Sequence, residues 1–268
     1  MNVSQALALA RELGVDRLDA QLLLTHLLKQ DRSWLITHDD APVDEALARA
    51  LLQRRAGGEP FAYIVGEQEF HGLRLRVTPD TLIPRPDTEV LVDWALELLT
   101  ANSSVIDLGT GSGAIALAIK HRRPDVDVHA VDLSPGALAV AEGNARSLSL
   151  AVQFHAGSWL APVAGRRFDL IVSNPPYIAG LDPHLAAMGH EPISALTPGG
   201  DGLDSLRAII AAAPDHLEPG GGLLLEHGYD KADAVARLLG ERGFRNLALR
   251  HDLGGNPRVS GGWWKTEG

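Results

Sequence analysis

Val105-Ile106-Asp107-Leu108-Gly109-Thr110-Gly111-Ser112-Gly113-Ala114-Ile115-Ala116 begins as an apolar run, turns through three glycines and leaves in a helical pattern. A strand that ends in glycines at the mouth of a helix lets the backbone turn tightly and approach a ligand without Cβ clashes. The stretch therefore predicts a site for a nucleotide-like ligand. Gly111, Gly113 and Ala116 also meet the loose dinucleotide fingerprint, so the loop alone leaves a nicotinamide cofactor and S-adenosylmethionine both open.

Working outward, Asp132 closes the next strand-like run, 126–131, where a carboxylate can accept hydrogen bonds from both ribose hydroxyls. Read as plain structure, the glycines are a tight turn and Asp132 caps the helix opening at Ser134-Pro135. Beyond Ser103 apolar runs alternate with amphipathic ones: helices over 114–120 and 135–148, strands over 152–155, 168–172 and 223–225. That alternation predicts an α/β, Rossmann-like parallel sheet with helices on both faces. Trp159 follows one of these strands, and its flat ring suits either an adenine face or the core.

Upstream, Leu7, Leu9, Leu13, Leu18, Leu22, Leu23 and Leu27 recur at helical spacing. Asp16 can cap one helix, Pro42 and Asp44 open another, and Gly57-Gly58 close it. Leu73, Leu75 and Val77 then alternate with Arg74 and Arg76, the period of a half-buried strand, and a short helix is expected over 87–99. The expected organisation is a helical bundle over 1–58, a β-hairpin linker over 59–84 and a sheet domain over 85–268.

The 268 residues carry a net charge of -10 and no cysteine, which excludes disulfides, thiolate nucleophiles and Cys-rich zinc sites. Such acidity is a poor footprint for gripping nucleic acid and favours partners with basic surfaces. No run approaches the roughly 20 apolar residues of a membrane span, so a cytoplasmic chain that neither enters a membrane nor is secreted is expected. His184, His190 and Glu191 lie in a long segment, 178–202, at spacings that match no helical metal motif, and no metal is expected.

Asn174-Pro175-Pro176-Tyr177 directly follows the strand over 168–172, and its two prolines stiffen the turn. The Asn174 side-chain oxygen and the Pro175 carbonyl can both accept from one amino group, such as a primary amide or an aromatic amine. Were a methyl group transferred to that nitrogen, two acceptors would orient it and stabilise the positive charge that grows on it, and no separate base would be required. Tyr177 can stack on the planar target. Glu226 and His227 end a core strand and read either as strand termini or as cleft lining.

Together these motifs resemble the glutamine methyltransferases of bacterial peptide chain release factors, the PrmC or HemK family. The resemblance includes Leu82-Ile83-Pro84-Arg85-Pro86-Asp87-Thr88-Glu89, the loop from Asp107, Ser173-Asn174-Pro175-Pro176-Tyr177, Glu191-Pro192, Leu223-Leu224-Leu225-Glu226-His227-Gly228 and Asp252-Leu253 with Asn256 and Arg258-Val259. It implies methyl transfer from S-adenosylmethionine, leaving S-adenosylhomocysteine, to the glutamine of the Gly-Gly-Gln loop of class I release factors. The bundle would help to hold that partner; separately from the resemblance, a monomer is expected. Gly109, Thr110, Gly111, Ser112, Gly113, Asp132, Trp159 and Asn174 would contact the cofactor, and Asn174, Pro175, Pro176 and Tyr177 the glutamine. Ser158 departs from the acidic residue many relatives place before this tryptophan. A ribosomal-protein glutamine methyltransferase, an N6-adenine DNA methyltransferase with a similar clamp, and a non-catalytic S-adenosylmethionine sensor are the alternatives.

Overall fold

A computed structural model describes residues 1–265, and the chain divides into two compact units, Met1–Glu67 and Gln68–Gly268. The first unit is built from α1 (Val3–Glu12), α2 (Arg17–Leu28), α3 (Arg32–Thr37), α4 (Glu45–Ala56) and α5 (Phe61–Val65). Asn2, Asp16, Asp31 and Asp44 cap the first four, each side-chain oxygen accepting a backbone N–H that the helix leaves unpaired. The buried stripe of α1 is Val3, Ala6 and Ala10, with Leu7, Leu9 and Leu13 half-buried along its edges. The leucine period is thus helical as expected, and its centre falls on alanines small enough for close helix approach.

The segment over 59–84, expected as a hairpin linker, starts with α5 in the first unit and continues as β1 (Glu67–Phe70) and β2 (Leu73–Arg76), joined at His71 and Gly72. A 3-10 turn, Pro86–Thr88, then runs into α6 (Glu89–Leu98). There follow β3 (Ser104–Leu108), α7 (Ala114–Arg122), β4 (Asp127–Asp132), α8 (Pro135–Leu148), β5 (Gln153–Ala156) and β6 (Phe168–Ser173). After them come α9 (Ile193–Leu196), α10 (Asp204–Ala212), β7 (Leu217–Glu226), α11 (Ala232–Arg242), β8 (Arg245–His251) and β9 (Pro257–Trp263).

Among the described residues the sheet runs β5-β4-β3-β6-β7-β9-β8. It is parallel from β5 to β7, as expected, but β9 lies antiparallel to both β7 and β8. The short 252–256 connection allows only a hairpin there, because parallel neighbours need a long crossover. Period-two alternation divides the core. Val105, Leu170, Val172, Leu224 and Val259 face α6 and α7, while Ile106, Leu108, Ile171, Leu223 and Leu225 pack with residues of α10 and α11. Among the described residues no helix is long and apolar enough to cross a membrane.

Candidate active site

A cavity of about 520 Å³ opens at the carboxyl ends of β3, β4, β5 and β6. The strand order reverses between β3 and β6, and open α/β sheets leave a ligand crevice at such a point. Gly109 and Gly111 line it after β3, Asp132, Leu133 and Ser134 after β4, Gly157, Ser158 and Trp159 after β5, and Asn174 and Pro176 after β6. Pro79, Asp80, Thr81 and Leu82 supply another wall, as do Pro192, Ser194, Ala195, Thr197 and Pro198.

The glycine loop is fixed by short-range bonds. Gly109 N and Thr110 N donate to Val131 O at 2.9 and 3.0 Å, and Gly111 N donates to Asp132 Oδ2 at 2.8 Å. Asp132 Oδ1 accepts from Ser134 N at 2.9 Å, but the cap of α8 is Ser134 itself, whose hydroxyl accepts from Ala137 N at 3.2 Å; the Asp132 carboxylate is aimed by two N–H groups while lining the cavity. Gly109 and Gly111 have φ of 72° and 57°, values that a side chain would strain, and nothing lies within 4 Å of where a Gly111 Cβ would stand. Trp159 takes φ 46°, uncommon for a residue with a side chain, and its ring edge packs over Gly109.

Behind the loop, Thr110 Oγ1 donates to Asp107 Oδ2 at 2.6 Å. Burial pushes Asp107 up to about 7, partly offset by Thr110. Thr110 and Ser112 are buried and do not line the cavity. A Cβ on Gly113 would press on Leu117 and Ala141, which is a packing role. Buried Asn144, which the sequence reading missed, donates to Ser112 O at 2.9 Å and Arg76 O at 3.0 Å, tying loop to hairpin.

On the opposite wall, Asn174 Nδ2 donates to Thr88 Oγ1 at 3.2 Å, which turns the amide oxygen the other way. Pro175 is buried, Pro176 borders the cavity, and Tyr177 is half-buried with its hydroxyl donating to Glu226 Oε1 at 3.3 Å. Burial and the nearby Glu226 raise the Tyr177 hydroxyl above its ordinary value. Burial likewise pushes Glu226 up to about 7. His227 has both ring nitrogens engaged, Nδ1 with Gly228 O at 2.9 Å and Nε2 with Ser260 Oγ at 2.8 Å. Its Nδ1 must donate, so Nε2 accepts, and the buried ring is neutral with its pKa lowered by burial.

Glu191, taken from sequence as a loop residue, has a side chain that is 5 % exposed; its Oε2 accepts from Ile83 N at 3.1 Å and its Oε1 pairs with Arg85. Ile178 N donates to Leu196 O at 3.0 Å and Gly180 N to Gly200 O at 3.1 Å, so the 178–202 segment folds back against the turn after Tyr177. No local pattern announces these bonds, because each joins residues far apart in the chain. Among the described residues no cluster of three or more His, Asp or Glu could hold a metal, and the side chain of His184 lies outside the described ones.

Comparison with known proteins fits this geometry. Residues 87–203 match the methyltransferase small domain, and residues 2–66 match the PrmC N-terminal domain. The release factor glutamine methyltransferase of Bordetella pertussis is 49% identical over 258 residues, 93% of this chain and 96% of that protein. The protein of the same name from Xylella fastidiosa (strain Temecula1) is 49% identical over 265 residues, covering 96% of each. The solved structure of a T. thermophilus 16S rRNA N2 G1207 methyltransferase in complex with AdoMet and guanosine superposes with a TM-score of 0.56 at 19% identity, covering 74% of this chain and 50% of that one. That likeness extends to the fold alone.

Proposed function

The chain belongs to the release factor glutamine methyltransferases, and from that membership we propose how its residues carry the reaction. It is an enzyme that methylates a glutamine of a release factor. In our reading the methyl donor is S-adenosylmethionine, the target is the side-chain nitrogen of the Gly-Gly-Gln glutamine in class I factors, and the products are N5-methylglutamine and S-adenosylhomocysteine.

The cavity suits that donor. Its volume is in the range of small-molecule sites, and Gly111 leaves open space where any side chain would intrude. Asp132 retains lone pairs for the ribose hydroxyls, and Leu133 and Trp159 offer apolar surface to the adenine. Thr110, Ser112 and Gly113 act from behind, by shaping the loop. When bound, the cofactor supplies an electrophilic methyl on a sulfonium that is a good leaving group.

The observation that carries the proposal is the orientation of Asn174. With Nδ2 held by Thr88, its oxygen is the group left to accept from the target amide, and the Pro175 carbonyl is the second acceptor. An amide lone pair is delocalised into its carbonyl; two fixed acceptors orient the nitrogen and stabilise its rising positive charge. Tyr177 covers the planar group. Held by a hydrogen bond and by burial, it stays protonated and acts by stacking. His227, with both nitrogens spoken for, is not a base.

The partner is a release factor, gripped in part by the helical unit, and the net charge of -10 favours a basic docking surface. A cytoplasmic, monomeric enzyme fits that task. Label transfer from methyl-labelled S-adenosylmethionine to full-length release factor, beside a Gly-Gly-Ala variant, ribosomal protein and duplex DNA, tests the reading. Label on the wild-type factor alone is expected. Label on DNA or ribosomal protein would overturn the partner, and label nowhere would favour a sensor.

A further inference from the structure

Glu226 is a buried polar group that the reading above leaves without a task. It is 1 % exposed, and while Oε1 accepts from Tyr177, Oε2 has no partner. An unpaired buried carboxyl oxygen is costly, and such groups are retained where they serve a site.

Sheet register explains how it reaches the clamp. Leu225 of β7 pairs with Ser173 of β6, so the next residue of each, Glu226 and Asn174, come level at the strand ends. Alternation turns both toward the face where Leu224 and Val172 meet α6. The 3-10 turn before α6 sets Thr88 there, 4 % exposed, its hydroxyl accepting from Asn174 Nδ2, and Thr88 opposes the rise that burial imposes on Glu226. A hydroxyl that accepts from Asn174 keeps its own proton to donate, and Glu226 is the acceptor beside it.

The geometry points to Glu226 as a positioning residue for the target amide: its carboxylate holds Tyr177 directly and, through Thr88, holds Asn174 with its oxygen turned to the substrate. The inference rests on the reading of Asn174 as the acceptor for that amide. Protonation would weaken the arrangement, because the oxygen of a neutral acid accepts a hydrogen bond less strongly than that of a carboxylate. Burial brings that protonation up to about 7, with Thr88, Arg258 and Tyr177 opposing and Asp87 adding to the rise. Arg258 is in turn held by Asp252 at 2.8 Å and Asp87 at 3.2 Å, and the adjoining His227 is neutral.

The test follows the Asn174 side-chain amide signals by NMR across pH, assigned by their loss in Asn174→Ala, in wild type, Glu226→Gln and Thr88→Val. In wild type they are expected to shift with a midpoint near that of Glu226, about 7. They should stand still in Glu226→Gln and move several times less in Thr88→Val. On release factor, wild-type kcat should fall below the midpoint and level off about tenfold lower, while Glu226→Gln is lower by roughly tenfold and flat, with cofactor KM changed about twofold at most. A raised folded pKa contributes stability that is complete below the unfolded value and is lost as pH rises through about 7. Glu226→Gln escapes that loss, so at alkaline pH its Tm should equal or exceed wild type, which separates positioning from misfolding. Amide signals that do not titrate in wild type, or that titrate equally in Glu226→Gln, would overturn the inference. Since those signals need no substrate, a wild type that methylates no release factor would sink the functional reading alone.

Discussion

The two sides of the cleft each keep a buried carboxyl raised to about 7, and they are assembled in opposite ways. On the cofactor side Asp107 bonds Thr110, three residues on, and Asp132 bonds Gly111 across 21 residues and Ser134 across two. On the target side Asn174 meets Thr88 across 86 residues, Tyr177 meets Glu226 across 49, and Glu191 meets Ile83 across 108. The first side is a loop that one βαβ unit can shape. The second exists only when four separate segments have docked, so its parts should fail together in turnover, whereas the loop should fail by degrees in affinity.

Asn174→Ala is the hardest blow to that contrast. It removes an acceptor that matters most as the amide nitrogen gains positive charge, and kcat should fall about a hundredfold or more with a far smaller change in cofactor Kd. Titration calorimetry beside single-turnover methylation measures both, and equal losses would mean that the two sides are not separable. Next comes Asp132→Ala, which deletes the ribose acceptor and also frees Gly111 N and Ser134 N. Cofactor affinity should drop roughly ten- to hundredfold, with kcat at saturating cofactor much less affected. Normal binding would dismiss the ribose assignment. The smallest effect is expected of Ser158→Asp at the exposed cavity rim, a gain of at most about fivefold in affinity from an exposed acceptor near the adenine. A loss of affinity would show that the adenine amino group lies elsewhere.

How much of this was legible in the chain depends on how local each device is. The glycine loop, Asp132 and the proline turn at Pro175-Pro176 are written in adjacent residues, because tight turns and rigid strand exits require particular side chains at particular places. The caps Asp16 and Asp44 could be read for the same reason. Strands β8 and β9 were not read. The residues of β8 are almost all exposed, so no apolar run marks it, and β9 carries glycines at 261 and 262, where a Cβ would strike Trp94 or Phe244. Asn144, Glu191 and Thr88 look like ordinary polar residues until their partners arrive.

The sequence by itself therefore determined the class of fold, the glycine loop after β3, the proline-stiffened turn after β6 and, by likeness, the family. Those follow from short-range sterics and from period, which need no knowledge of distant neighbours. Only the tertiary structure decided which way the Asn174 amide faces, that His227 is satisfied and neutral while Glu226 is not, and that the 79–82 and 192–198 segments wall the cavity. The physical reason is that a hydrogen bond or a shifted pKa belongs to a pair of groups and their burial, and sheet register, with Ser173 set beside Leu225, is what makes such pairs.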